Sequence, residues 1–248
     1  MRNFKIYLEY CGTNYSGWQI QKNAKTIQGV LTDCINRVFS NTKGTNKLIE
    51  LVGAGRTDKG VHALEQVAHL KCETMLAPEI LKMKTNDLLP SDINILEIKK
   101  APLNFHARHS AKYRQYLYVI SKRRTAFEKK YVWWIKDRLN VDLMKKTATL
   151  FKGMHNFSSF ADKETQENST LVFVENISLD EAGEKIFLRI KASHFLWKMV
   201  RRIVGSLVEV GRRNLSPADI KFYLENSSTD LTRYTAPPSG LFLEKVFY

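Results

Sequence analysis

Asp58 stands between Arg56 and Lys59 inside the string Gly53-Ala54-Gly55-Arg56-Thr57-Asp58-Lys59-Gly60-Val61-His62-Ala63. The three glycines allow positive φ angles and close approach of the backbone to a ligand. An arginine two residues away favours the charged form of the carboxylate. An ionised aspartate on a fixed loop can attack carbon. Other glycine loops fail on spacing. A P-loop needs Lys-Ser/Thr directly after its last glycine, and Val61-His62 follow Gly60; a dinucleotide fingerprint needs a third small residue where Asp58 stands. An aspartyl-phosphate site wants a hydroxyl residue soon after the Asp-Lys pair, where Gly60 and Val61 occur. Asp-Lys-Gly is equally good turn chemistry, so a nucleophile loop and a plain hairpin connection both stay open on these residues.

The rest of the composition says what such a carboxylate would meet. Lys and Arg number 39 against 25 Asp and Glu, a formal charge of +14 over 248 residues, which points to a polyanionic partner. Basic residues alternate with rings in Lys112-Tyr113-Arg114-Gln115-Tyr116-Leu117-Tyr118 and in Phe127-Glu128-Lys129-Lys130-Tyr131-Val132-Trp133-Trp134. A base can stack on a ring while a cation holds phosphate, which favours nucleic acid over a membrane surface; half-buried strands account for the same alternation. Cys11, Cys34 and Cys72 are too far apart for a Cys-x-x-Cys pair, and their odd number argues against a disulfide framework. His62, His69, His106 and His109 invite a zinc reading, but His106-x-x-His109 has no second ligand pair at zinc spacing, so no metal is expected. With no apolar run of membrane length, a soluble cytoplasmic protein is expected.

The elements that must position these groups follow from periodicity. Residues 3 to 10 alternate as a strand, and Ile27, Val30, Leu31, Cys34, Ile35, Val38 and Phe39 mark a helix capped by Thr26. Strands over 48–52 and 66–70 place Asp58 at a strand-to-strand connection. A short helix from Pro78 and a strand over 93–98 complete a first αβ domain, taken as 1–103. The second, 104–248, reads as a strand over 113–121, a basic loop at Lys122-Arg123-Arg124, a helix over 142–151, strands over 171–179 and 185–192, a helix over 195–210, another from Ser216-Pro217, and a closing strand over 241–247. The expected fold class is therefore α/β (α+β): two αβ halves with mixed or antiparallel sheets and a cleft between them.

Three motifs in order now resemble one family. Gly-Arg-Thr-Asp-Lys-Gly-Val-His-Ala, Phe105-His106-Ala107-Arg108 followed by Tyr116, and Lys198-Met199-Val200-Arg201 ahead of Gly205 are similar to the TruA-type tRNA pseudouridine synthases. Tyr15-Ser16-Gly17-Trp18-Gln19, Asn86, Leu89-Pro90-Ser91-Asp92-Ile93 and Gly240-Leu241-Phe242-Leu243 extend the resemblance over nearly the whole chain. It implies two ferredoxin-like halves forming one extended sheet with a central basic cleft. It also implies isomerisation of uridine to pseudouridine in tRNA, with positions 38 to 40 of the anticodon stem-loop as the leading target, without metal or organic cofactor and by a homodimer. Asp58 is then the nucleophile, Tyr116 stacks on the target base, and Arg201 pairs with Asp58 and holds the flipped nucleotide open. Arg56, Lys59, His62, Arg108, Lys198 and Arg202 are expected on the RNA.

Some positions depart from the family. Asn168-Ser169-Thr170 stands where an arginine commonly precedes the threonine, and Lys59 and Arg202 are charged where uncharged residues are more usual. These differences bear on site choice rather than on catalysis. The other readings are the same chemistry at another tRNA or ribosomal RNA site, and an RNA-binding or tRNA-folding protein that needs no turnover.

Overall fold

The alternation at the N-terminus becomes β1, Arg2–Tyr10, with Phe4, Ile6 and Leu8 fully buried. In the computed structural model, which describes residues 1–162 and 169–248, the chain divides into two compact units, 1–112 with 243–248 and 113–242. The described residues carry five α-helices and ten strands; β1 with β3 and β4, β2 with β3, β5 with β9, and β8 with β7 and β9 pair antiparallel, and β6 meets β5 in parallel. The expected boundary at 103/104 falls earlier than this division. Phe105–Lys112 stays with the first unit because Asn3 Nδ2 donates to the Pro102 and Phe105 carbonyls and the Ala107 N–H donates to His69 Nδ1.

In the first unit, α1 (Ile27–Ser40) begins where the Thr26 hydroxyl accepts the Gly29 N–H. Its stripe of Ile27, Leu31, Ile35 and Val38 is buried, each side chain contributing about 1.5–3 kcal/mol. β2 (Lys47–Gly53) runs antiparallel to β3 (His62–Glu73). After α2 (Pro78–Asn86), β4 (Ile93–Ala101) returns beside β1, giving the order β4-β1-β3. Most of β10 (Leu241–Phe247) also belongs to this unit, next to β3. β3 is longer than the expected 66–70, so the same strand that leaves the glycine loop at His62 also reaches the middle of the sheet.

In the second unit, β5 (Tyr113–Ser121) carries a two-residue strand β6 (Trp133–Trp134) on one side and β9 (Lys185–Ala192) on the other. β8 (Leu171–Ala182) and the short edge strand β7 (Gly153–Asn156) complete the order β5-β9-β8-β7. β6 and β7 are too short to show a period. The helices are α3 (Val141–Ala148), α4 (Met199–Gly211) and α5 (Pro217–Glu225), the last opened by a capping box of Ser216 and Asp219. α4 starts four residues after the expected 195 because Lys198 sits at φ 60°, outside the right-handed helix. No helix among the described residues is long and apolar enough to cross a membrane.

Candidate active site

The loop 54–61 is the connection between β2 and β3, and its turn closes where the Val61 N–H donates to the Asp58 carbonyl at 3.1 Å with Gly60 at φ 80°. The hairpin reading and the nucleophile reading thus describe one piece of backbone. What separates it from an ordinary turn is how many outside groups hold it. The Trp18 N–H donates to the Thr57 carbonyl at 3.0 Å, the Gly60 N–H to the Tyr15 carbonyl at 3.3 Å, and the Gln66 amide to the Gly55 carbonyl at 2.9 Å. The Tyr10 and Thr57 hydroxyls lie 2.8 Å apart, and the Gly12 N–H donates to His62 Nδ1 at 3.1 Å. Burial pushes the Tyr10 phenol up to about 12, against its hydrogen bonds with Thr57 and Gln66, so Tyr10 stays a neutral hydroxyl.

The Tyr15–Gln19 segment is the outer wall of this loop. Gly17 is at φ 92°, and a Cβ there would lie 2.5 Å from the Thr57 carbonyl oxygen, so only glycine lets the wall approach so closely. Tyr15 and Trp18 are buried, and the Tyr15 hydroxyl donates to Asp92 of the Leu89–Ile93 segment. Sequence stretches far from the glycine string therefore converge on it. Asp58 is half-buried, with Arg56 and Lys59 exposed beside it; His62 is buried, its Nδ1 taken by Gly12.

Further along β3, His69 is fully buried. Its Nδ1 accepts the Ala107 N–H at 3.1 Å and its Nε2 lies 3.2 Å from Glu50, which Lys71 also holds at 2.9 Å. His106 completes a cluster with Glu50 and His69, their donor atoms within 4.8 Å of one another. With Nδ1 accepting, neutral His69 carries its proton on Nε2 and donates it to Glu50. His106 likewise accepts the Arg108 and His109 N–H groups at Nδ1. Burial, then His69 and His109, hold the His106 imidazole below its ordinary range and so neutral. His69 thus turns an N–H group, not a lone pair, toward Glu50, and the Nδ1 lone pair of each ring is already taken by backbone N–H groups. The cluster suits a brace better than a metal centre, and it pins the Phe105–His109 turn that presents the exposed Arg108.

In the second unit, Tyr116 on β5 is 9% exposed and meets Phe195 edge to face, ring centroids 4.9 Å apart. Arg201 is half-buried on α4. Its Nε donates to the Ala236 carbonyl at 2.7 Å while the Ala236 N–H donates to the Arg201 carbonyl at 3.1 Å. Gly205 makes this possible, since a Cβ there would lie 1.5 Å from the Tyr234 carbonyl oxygen. Gly205→Ala is therefore expected to lower unfolding stability by about 2–3 kcal/mol, read as a fall in the urea midpoint.

Lys198 and Arg202, expected on RNA phosphates, both pair with Asp162. Arg202 is 2% exposed, and its Nε finds no acceptor among the described residues. Burial disfavours the Asp162 carboxylate, but the two cations outweigh it and hold the carboxyl below its usual range. Of the Asn168-Ser169-Thr170 stretch, where an arginine commonly precedes the threonine, Asn168 lies outside the described residues, and the Thr170 hydroxyl donates to Asn156 Oδ1 at 2.8 Å. Sequence spacing could not show Asp162, Phe195, Glu50 or Ala236 as partners, because each is joined to its site residue only by tertiary contact.

Residues 6–110 and 147–248 match the profile of a family described as tRNA pseudouridine synthase. Proteins named tRNA pseudouridine synthase A are similar over the full length of both chains: 40% identical in Thermoanaerobacter sp. (strain X514), 37% in Caldicellulosiruptor bescii and 36% in Thermodesulfovibrio yellowstonii, each covering 100% of this chain and 100% of its own. Asp58 and Arg201 fall inside the matched segments, and Tyr116 in the stretch between them.

Proposed function

The chain belongs to the tRNA pseudouridine synthase family and is an isomerase, and we propose that it converts uridine to pseudouridine at positions 38 to 40 of the tRNA anticodon stem-loop. The reaction breaks the bond between N1 of uracil and C1′ of the ribose and joins C5 to C1′. The C5 hydrogen leaves to solvent and N1 gains one, so composition and oxidation state are unchanged. Asp58 is the nucleophile that attacks a carbon of the flipped nucleotide, Tyr116 stacks on its base, and Arg201 supplies the cation that serves the carboxylate and keeps the nucleotide out. Extruding the base costs roughly a few kcal/mol, which contacts with a surface of formal charge +14 can offset.

The observation that carries this reading is the Asp58 loop, whose backbone is fixed by Tyr15, Trp18 and Gln66 and which sets a half-buried carboxylate-bearing residue between exposed Arg56 and Lys59. A nucleophile must be held in place to react at a useful rate. Arg56, Lys59 and Arg108 are the proposed phosphate contacts; Lys198 acts through its pair with Asp162, and His62 and Arg202 from their buried positions. The first unit carries the nucleophile and the second carries Tyr116 and Arg201. The protein acts in the cytoplasm as a homodimer, for which light scattering should return twice the 28.7 kDa chain mass.

The site is tested with tRNA transcripts in which uridines 38, 39 and 40 are changed to cytidine singly and together. Carbodiimide mapping should show stops only at the uridines retained among these three. Stops elsewhere in the tRNA, unaffected by the triple change, would overturn the assignment of the anticodon stem-loop.

A further inference from the structure

The loop between β5 and β6 displays Phe127 at 95% exposure. A phenylalanine so placed leaves almost its whole ring in water, while the loop holding it is anchored at its two ends and closed by a turn within. The Ser121 hydroxyl donates to the Arg123 carbonyl at 2.6 Å, the Lys122 N–H to the Glu184 carbonyl at 2.8 Å, and the Tyr131 N–H to the Glu128 carbonyl at 2.8 Å. The Thr125 hydroxyl accepts the Glu128 N–H at 3.3 Å, so Phe127 lies within a closed turn whose Glu128 is ion-paired with Lys185. Lys122 is likewise paired with Glu181. The acidic side chain of the turn is thus neutralised from the neighbouring strand, and Arg123, Arg124, Lys129 and Lys130 lie exposed on either side of the ring.

We propose that this loop is a second RNA contact, in which an unpaired base of the tRNA stacks on Phe127 while Arg123, Arg124, Lys129 and Lys130 hold the flanking phosphates. An exposed aromatic face between cations on an anchored turn is the arrangement that single-stranded nucleic acid needs, and it is tolerant of base identity because every base has a π-face. The contact is separate from the one at Tyr116. The five steps from Tyr116 to Ser121 along β5 span about 17 Å at the usual rise per strand residue, and both ends of the loop are held at the Ser121 end, Lys122 on Glu184 and Ile135 on Ser121, so the base on Phe127 is not the nucleotide that reacts. The inference rests on tRNA being the substrate, and it adds a point of grip that reads the shape of the RNA around the target.

The experiment compares wild type, Phe127→Ala, Phe127→Trp and the double change Lys129→Ala/Lys130→Ala for equilibrium binding of a tRNA transcript across a salt series. Phe127→Ala should raise Kd about tenfold with the slope of log Kd against log salt unchanged, Phe127→Trp should stay within about threefold of wild type, and the double lysine change should lower the slope by about one to two. The single-turnover rate of Phe127→Ala at saturating tRNA should stay within twofold of wild type. A Kd for Phe127→Ala within twofold of wild type overturns the proposal. So does conversion of a dimer to a monomer by this change in light scattering, which would make Phe127 a contact between copies. Loss of binding to phosphatidylserine vesicles with tRNA affinity intact overturns it in favour of a membrane surface. Wild type that binds tRNA with the expected dependence on Phe127 but forms no pseudouridine contradicts the proposed function and leaves this contact standing.

Discussion

Asp58→Asn should reduce pseudouridine formation at least about a thousandfold, and losses of about a millionfold are known when a covalent nucleophile is removed. The measurement is tritium release from tRNA carrying [5-³H]uridine under single-turnover conditions, because joining C5 to C1′ must free the C5 hydrogen. The substitution keeps the size of the side chain and removes its charge. It should also leave the loop in place, since the turn is closed through the Asp58 backbone carbonyl and the surrounding hydrogen bonds fall on Gly55, Thr57 and Gly60. Thermal melting and the Kd for tRNA should therefore change little. Asp58→Glu gives a graded control. It keeps the charge but moves it by one methylene, and a displacement of about 1 Å can cost on the order of a hundredfold. A rate for Asp58→Asn within tenfold of wild type would mean that the carboxylate does not attack.

Arg201→Ala is the second large effect, expected to slow the single-turnover rate about a hundredfold to a thousandfold, the usual loss on removing one fixed charge-stabilising group. The affinity for tRNA should fall less than tenfold, because one cation among many contributes to phosphate binding. The geometry explains why lysine should not restore the rate. Arg201 Nε is fixed on the Ala236 carbonyl, which orients the planar guanidinium, whereas an ammonium is a point charge on a flexible stem. If Arg201→Lys recovers wild-type rate, the role is bulk charge alone. If Arg201→Ala leaves the rate intact and only weakens binding, Arg201 belongs to the RNA contacts and not to the chemistry.

How far the residues alone carried these assignments differs from element to element. α1 was legible because Thr26 caps it and its apolar residues recur at helical spacing, and β5 because its alternation is long; both occur where the pattern places them. α4 was extended too far back because Phe195, Leu196 and Lys198 continue a helical pattern, while Lys198 adopts a left-handed conformation that composition does not reveal. β6 and β7, at two and four residues, are held by their neighbours rather than by their own period. At the site, the local string identified Asp58 and could not separate a turn from a nucleophile loop. Gly17 pressed against Thr57, and Tyr15 against Asp92, are what distinguish them, and both are tertiary. The same limit applies to charge. Lys198 and Arg202 count toward the basic balance, but Asp162, some forty positions away, holds both.

The central claim is that Asp58 makes this chain a pseudouridine synthase acting on tRNA. It is tested most directly by incubating one uridine-containing tRNA transcript with wild type and with Asp58→Asn, then mapping carbodiimide adducts by primer extension. The expected result is new stops at one or more of positions 38 to 40 with wild type and none with Asp58→Asn. Equal stops with both proteins, or no stops from a folded wild type that binds the transcript, would contradict it.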